Sequence, residues 1–429
     1  MKKWHNGTKK MKEKLLKYID ENQAELFTLL CNMLDINTEN YGNGGNEAPL
    51  AAYLKDAYEK LGVPVEVYSP DEVEGILQHP DYLPGRNLKD RPNVSAVLQG
   101  AAPEKTLLLA GHMDTVPVGD ESLWTVPPVK GTLKDGWIYG RGANDDKWAL
   151  ATELFLAKAF TALGIKLKNN VVLGGYVDEE FGGGDGALAL CLKHKADFAI
   201  NMDSDYMDII HCGVGGQRLA LVLRHREPQD NCGIVMEGFY LAKREIDRFG
   251  ERRCAELAQN PYFAGTPIPP KALRYMNIVS GTKTNDRHLG TLDFAFYTDR
   301  EDAVIKKELE ELLEDIRAAI APLGLVLDEV IYRSRLFRYA ASDKKHPEIL
   351  RLQKQIREVA KKETSVCGMC LSDLNIFINN LKGNAVSCGV CLDFSVEGGA
   401  HQPDERVNCA DLVAFTKAMA SYILEWDAV

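Results

Sequence analysis

The stretch TLLLAGHMDTVP, residues 106–117, sets the frame for reading this chain. Its apolar run, TLLLA, is too short for a helix and stops at Gly111, which reads as a buried strand. A polar pair, His112 and Asp114, follows at once. Open α/β sheets bind ligands beyond the carboxyl ends of their strands, so this pair marks a candidate site. The signature recurs. VVLGGYV (171–177) leads into Asp178, Glu179 and Glu180, and DFAINM (197–202) into Asp203 and Asp205. AVSCGVCL (385–392) reaches His401 after a short loop. Asp145 and Asp146 come from the glycine-rich GRGANDDKW (140–148), at the start of a helix, where negative charge is favoured.

Helical spacing of apolar residues separates these strands. Leu15, Leu16, Ile19, Leu26, Leu29, Leu30 and Met33 predict a helix over 11–34, and further helices are expected at 48–62, 147–163, 346–362 and 409–425. Alternating strands and helices imply an α/β fold with a mostly parallel sheet and helices on both faces. The middle third differs. QRLALVLR (217–224) and TLDFAFYT (291–298) resemble half-exposed strands, and 303–320 predicts an amphipathic helix with Ile305, Leu309, Leu312, Ile316 and Ile320 on one stripe. The expected organisation is one large α/β domain over 11–213 and 333–429, interrupted by a smaller α+β, ferredoxin-like insert over 214–332.

Composition narrows the class of function. The 429 residues are 45% hydrophobic and 26% charged, ordinary for a globular protein. The net charge of −11 disfavours a nucleic-acid or anionic-membrane partner. No apolar run approaches the ~20 residues needed to span a bilayer. The basic start carries no apolar signal core, so a cytoplasmic location is expected, with ten reduced cysteines.

Imidazole and carboxylate together suit zinc and related divalent ions, and a carboxylate can bridge two of them. Each cluster alone is a common feature of turns. Together GHMDTVP (111–117), GRGANDDK (140–147), DEEFGG (178–183), MDSD (202–205) and AHQPDE (400–405) resemble the dinuclear zinc amidohydrolase family of acetylornithine deacetylase, succinyl-diaminopimelate desuccinylase, aminoacylase and the bacterial broad-specificity dipeptidases. Asp203 lies 23 residues after Glu180, and this spacing and the HQPDE segment resemble the dipeptidase branch. The resemblance implies that 11–213 and 333–429 form a metal-binding catalytic domain and 214–332 a lid, and that the site takes two divalent ions, zinc first, with cobalt or manganese as other occupants. His112 and Asp203 would hold one, Glu180 and His401 the other, and Asp145 would bridge them. Asp114 would orient His112, Glu179 would act as general base and acid, and the Asp145–Asp146 peptide would be cis. The implied reaction is hydrolysis of an amide in a small peptide or an N-acyl amino acid by a metal-activated water. A catalytically altered family member that only binds is the other reading.

The sequence departs from the family in places. Trp148 stands where relatives carry a small residue, and VCGMCLSD (366–373) replaces a glycine-rich stretch. His225, His288 and Arg300 are the candidates in the insert for meeting the substrate, Arg300 as a partner for a carboxylate. The insert also gives room for a homodimer contact. Cys367, Cys370, Cys388 and Cys391 have zinc-knuckle spacing, but a strand would point the second pair to opposite faces, so buried thiols are expected.

Overall fold

A computed structural model describes residues 2–227, 232–284, 287–369 and 371–427. The chain divides into two compact units: one comprises the residues through His211 with Ser342–Cys367 and everything from Ile376, the other Cys212–Ala341 with Gly368–Asn375.

The first unit is built on a large sheet. Its strands run in the order Val65–Tyr68, Asn93–Leu98, Asn170–Tyr176, Thr106–His112, Phe198–Asn201, Ala385–Cys388 and Ile209–Gly213. The centre is parallel: Leu107 pairs with Val171 on one side and with Phe198 on the other, and Ala385 pairs with Ala199. The flanks turn antiparallel, with Val94 opposite Gly175 and Ser387 opposite Ile210. Leu107, Leu108, Leu109, Val171, Leu173 and Ile200 are buried, as strands covered on both faces require. Helices Lys147–Ala162 and Cys409–Asp427 are hydrophobic nearly all round, which fits helices enclosed within the core.

Helix boundaries depart from expectation where a side chain competes with the backbone. The first helical stretch breaks into Lys2–Glu21 and Gln23–Leu34, and at the break Asn22 donates its side-chain amide to Tyr18 O at 2.7 Å. The helix expected at 346–362 runs Pro347–Gln355, then widens into one π turn, Ile356–Ala360, and stops at Lys361 with φ 59°.

The second unit has the order strand Gly215–His225, helix Gly233–Leu257, strands Leu273–Thr284 and Arg287–Thr298, helix Asp302–Ile320 and strand Leu325–Tyr332. The sheet places Gly215–His225 between Arg287–Thr298 and Leu325–Tyr332, with Leu273–Thr284 at the edge, all antiparallel. That is the split βαβ pattern of a ferredoxin-like layer. Its core joins Leu219, Leu221 and Leu223 to Phe239, Ile246, Phe294 and the Ile305–Ile320 stripe. Gly215–His225, expected to be half-exposed, is mostly buried. No described helix is long and apolar enough to cross a membrane.

Candidate metal centre

His112 ends the central strand Thr106–His112, Glu180 follows strand Asn170–Tyr176, and Asp203 follows strand Phe198–Asn201. Parallel pairing of these three strands carries all three residues to one edge. Asp145 arrives from the loop before helix Lys147–Ala162, and its bond to Asp146 is cis. His401 sits in a loop with φ 64°. Donor atoms of His112, Asp145 and Asp203 lie within 4.8 Å of one another, and so do those of Asp145, Glu180 and His401. Asp145 belongs to both groups. One of its oxygens, Oδ1, is 2.8 Å from His112 Nε2, and Oδ2 is 3.2 Å from His401 Nε2. Glu180 Oε2 lies 2.7 Å from that same His401 nitrogen.

The second ring nitrogen of His112 settles what this geometry asks for. His112 Nδ1 is 2.8 Å from the backbone carbonyl of Asp114 and donates its proton there. In the neutral ring Nε2 is then an acceptor, pointed at the acceptor Asp145 Oδ1. Two acceptors at that separation need a proton or a cation between them. The local electrostatics agree. Burial pulls the His112 imidazole down, but hydrogen bonds with Asp114 and Asp145 and their charges outweigh it and raise it well above its ordinary value. Burial and the charge of Asp145 push Glu180 up to about 7 and Asp203 up to about 6. His401, despite burial, is raised to about 10 by Asp145 and Glu180. The donor set of two imidazoles and three carboxylates therefore fits a pair of divalent cations.

Surrounding groups hold the ligands in place. Asp114, buried, accepts from Asn40 Nδ2 at 2.8 Å and from the backbone N–H groups of Glu179 and Glu180 at 3.1 and 3.2 Å. Glu180 Oε1 accepts from Val116 N at 3.0 Å. Asp146 Oδ2 accepts from His112 N at 3.2 Å, while its Oδ1 is buried without a hydrogen-bond partner among the described residues. Trp148 is buried, donates to Asn144 O at 3.2 Å and meets Phe415 edge-on. Space for the indole comes from Gly389, where a Cβ would sit 2.8 Å from Trp148 Cζ2.

Three residues singled out in the insert lie in the second unit. Arg300 is ion-paired with Glu256. His225 is buried and its Nδ1 is 2.8 Å from Glu227 O, while both ring nitrogens of His288 are buried without a hydrogen-bond partner among the described residues. Cys370 lies outside the described residues. Of its three companions, Cys388 ends a strand with its thiol toward Met207 O at 3.6 Å, and Cys391 lies just beyond that strand. Burial raises the thiols of Cys367, to about 11, and of Cys388 and Cys391. Among the described residues no group of side chains close enough to share an ion includes a cysteine.

The sequence reading missed Asn40, Glu47, Arg86 and Arg91, which hold the Asp178–Glu180 loop from far along the chain. Arg91 Nη1 is 3.0 Å from Asp178 Oδ1, Arg86 is also paired with Asp178, and Arg91 Nη2 is 2.5 Å from Glu47 Oε1. No local motif marks them.

Known proteins resemble this chain in sequence and in fold. Residues 108–425 match the family described as peptidase family M20/M25/M40. A curated relative, N-formyl-4-amino-5-aminomethyl-2-methylpyrimidine deformylase of Halalkalibacterium halodurans, is 32% identical over 280 residues, covering 64% of this chain and 56% of that protein. The chain thus spans little more than half the length of that relative. Among solved structures, human carnosine dipeptidase 1 superposes with a TM-score of 0.70 at 18% identity, over 97% of this chain and 100% of that one. The dipeptidase Dug1p of Saccharomyces cerevisiae gives 0.71 at 16% identity, over 97% and 99%.

Proposed function

The chain belongs to peptidase family M20/M25/M40, and from that premise we propose that this hydrolase cleaves the amide bond of a small peptide, as a metal-dependent dipeptidase or exopeptidase. The observation that carries the reading is the shared carboxylate of Asp145, with one oxygen toward His112 and the other toward His401. His112 and Asp203 would hold one divalent ion, Glu180 and His401 the other, with Asp145 common to both. Zinc fits the mixed nitrogen and oxygen donors, and cobalt or manganese could replace it. Bound there, the ions would supply an acidified water and a polarised carbonyl.

The chain's own residues do the rest. Glu179 takes the proton of the attacking water and passes it to the leaving nitrogen. Asp114 sets the stage for that transfer, since its carboxylate accepts from the Glu179 N–H at 3.1 Å while its backbone carbonyl orients the His112 ring. The products are a carboxylate and an amine. Arg300, ion-paired with Glu256, is the proposed partner for a substrate carboxylate, whereas His225 and His288 lie toward the other end of the same sheet, so either would meet the substrate apart from it. The setting in this reading is cytoplasmic, where thiols stay reduced.

A second reading is deacylation of an N-acylated amine, such as an N-acyl amino acid. It is favoured by the 32% identity to a protein named as a deformylase. The chemistry at the amide is the same, and only its flanking group differs. Protein loaded with zinc, cobalt or manganese and assayed against a dipeptide panel and an N-acyl panel tests both. Turnover confined to dipeptides supports the first reading, and turnover confined to N-acyl or N-formyl compounds supports the second. No hydrolysis with two bound ions would overturn both in favour of a binding protein.

A further inference from the structure

Glu405 lies four residues beyond His401 and is fully buried. Its Oε1 accepts from three N–H groups of one loop: Gly142 at 3.0 Å, Asn144 at 2.8 Å and Asp145 at 3.0 Å. Its Oε2 is ion-paired with Arg141, whose other terminal nitrogen reaches toward Pro117 O and His401 O at 3.5 Å. The backbone closes the same circle, because Gly140 N donates to Glu405 O at 2.9 Å. Asn144, in turn, accepts from Leu392 N at 2.6 Å through its side-chain oxygen. One carboxylate therefore ties the loop carrying Asp145 to the loop carrying His401, although Glu405 has no donor atom in either ligand group.

We propose that Glu405 is the positioning residue of the metal pair: by gathering the N–H groups of the 142–145 loop it aims Asp145 at both ion positions at once. A carboxylate accepting several backbone N–H groups is held far more tightly than a solvated one, and here it fixes the loop that carries the bridging ligand. The consequence is specific. Removing a ligand that serves one position weakens one ion, whereas loosening Asp145 weakens both.

This rests on the reading of the site as a two-metal centre, and the test separates the two ideas. Zinc or cobalt is titrated calorimetrically into metal-free protein, wild type beside Glu405→Gln and His401→Ala, with thermal melting of each metal-free form recorded. Gln keeps an oxygen for the N–H groups but turns an amide toward the Arg141 guanidinium, so the loop loses its grip without a large cavity. The expected result is a loss of about 10–100-fold in affinity for both ions in Glu405→Gln, the usual range for a partner of a ligand. His401→Ala should lose one ion and keep the other. If wild-type protein binds no metal, the two-metal reading fails. If wild type binds two ions and Glu405→Gln binds both with unchanged affinity, or loses only one, the positioning role is overturned. Should Glu405→Gln melt far below wild type, Glu405→Asp, which keeps a charge for Arg141 but draws the carboxylate back by one methylene from the three N–H groups, is the second variant. Weakened binding of both ions there supports the role, and unchanged binding of both counts against it.

Discussion

The guanidinium of Arg91, fully buried, bridges Asp178 Oδ1 at 3.0 Å and Glu47 Oε1 at 2.5 Å. Asp178 immediately precedes the proposed base and ligand, Glu179 and Glu180, and adopts a left-handed φ of 68°. A carboxylate in that conformation, with Arg91 and Arg86 on it, holds the loop by charge rather than by apolar packing. Replacing Arg91 by Met would leave Asp178 and Glu47 in the interior, each with one partner fewer. Breaking a buried pair from one side costs about 3–5 kcal/mol. Urea unfolding of metal-free Arg91→Met should show a loss of that size, and adding Glu47→Gln should recover part of it. An Arg91→Met variant as stable as wild type would show that Arg86 alone neutralises the cluster.

Glu179 is the residue whose removal should separate chemistry from binding. Its backbone N–H is held by Asp114, while its side chain belongs to neither ligand group. Glu179→Gln is expected to keep two bound ions and the wild-type melting temperature while lowering kcat by about 100-fold or more, as for a lost general base. Near-normal turnover with both ions present would assign proton transfer to another group.

His194 gives a pH dependence with a definite sign. Burial drops its imidazole from 6.5 to about 4, with Lys193 adding repulsion, and its Nε2 lies 2.8 Å from Ser95 Oγ. A histidine held neutral by the fold binds its proton more readily when unfolded. Its contribution to stability is therefore present above the unfolded pKa and is lost as pH falls from about 6.5 through about 4. Denaturation midpoints of wild type should fall through that window more steeply than those of His194→Gln, which keeps a hydrogen-bonding side chain but does not titrate. Parallel curves would mean that His194 takes up its proton alike in the folded and the unfolded protein.

His112, Glu180 and Asp203 were legible because each follows a short apolar run, where sequence and topology carry the same information, while Asp145 and His401 stood out only through the motifs of their loops. The residues that support them were not. Glu405 meets Asp145 from 260 positions away, and Arg91 meets Asp178 from 87. The helix Gly233–Leu257 was also invisible, since two interior glycines disguise it. They are there for close packing: a Cβ on Gly238 would lie 2.3 Å from Leu325 Cδ1, and one on Gly250 would lie 2.6 Å from Leu273 Cδ2. Helix propensity was overruled by the need to bring this helix down onto its sheet.

Gly389 offers a test of how one ligand is seated. A Cβ there would stand 2.5 Å from Ser204 O, 2.8 Å from Ser204 N and 2.8 Å from Trp148 Cζ2. Two of these contacts are with backbone, which cannot rotate aside as a side chain can. Ser204 lies between Asp203 and Asp205, so relief must come from moving the segment that carries Asp203. Gly389→Ala is thus expected to weaken the ion assigned to His112, Asp145 and Asp203 while sparing the one assigned to Glu180 and His401. Calorimetric titration would show one tight and one weakened site. Combining Gly389→Ala with Trp148→Phe removes the contact with the indole but not those with Ser204, so the double variant should bind no better than the single one. Full recovery in the double variant would place the constraint in the packing of Trp148, and Gly389 would then owe its small size to the indole alone.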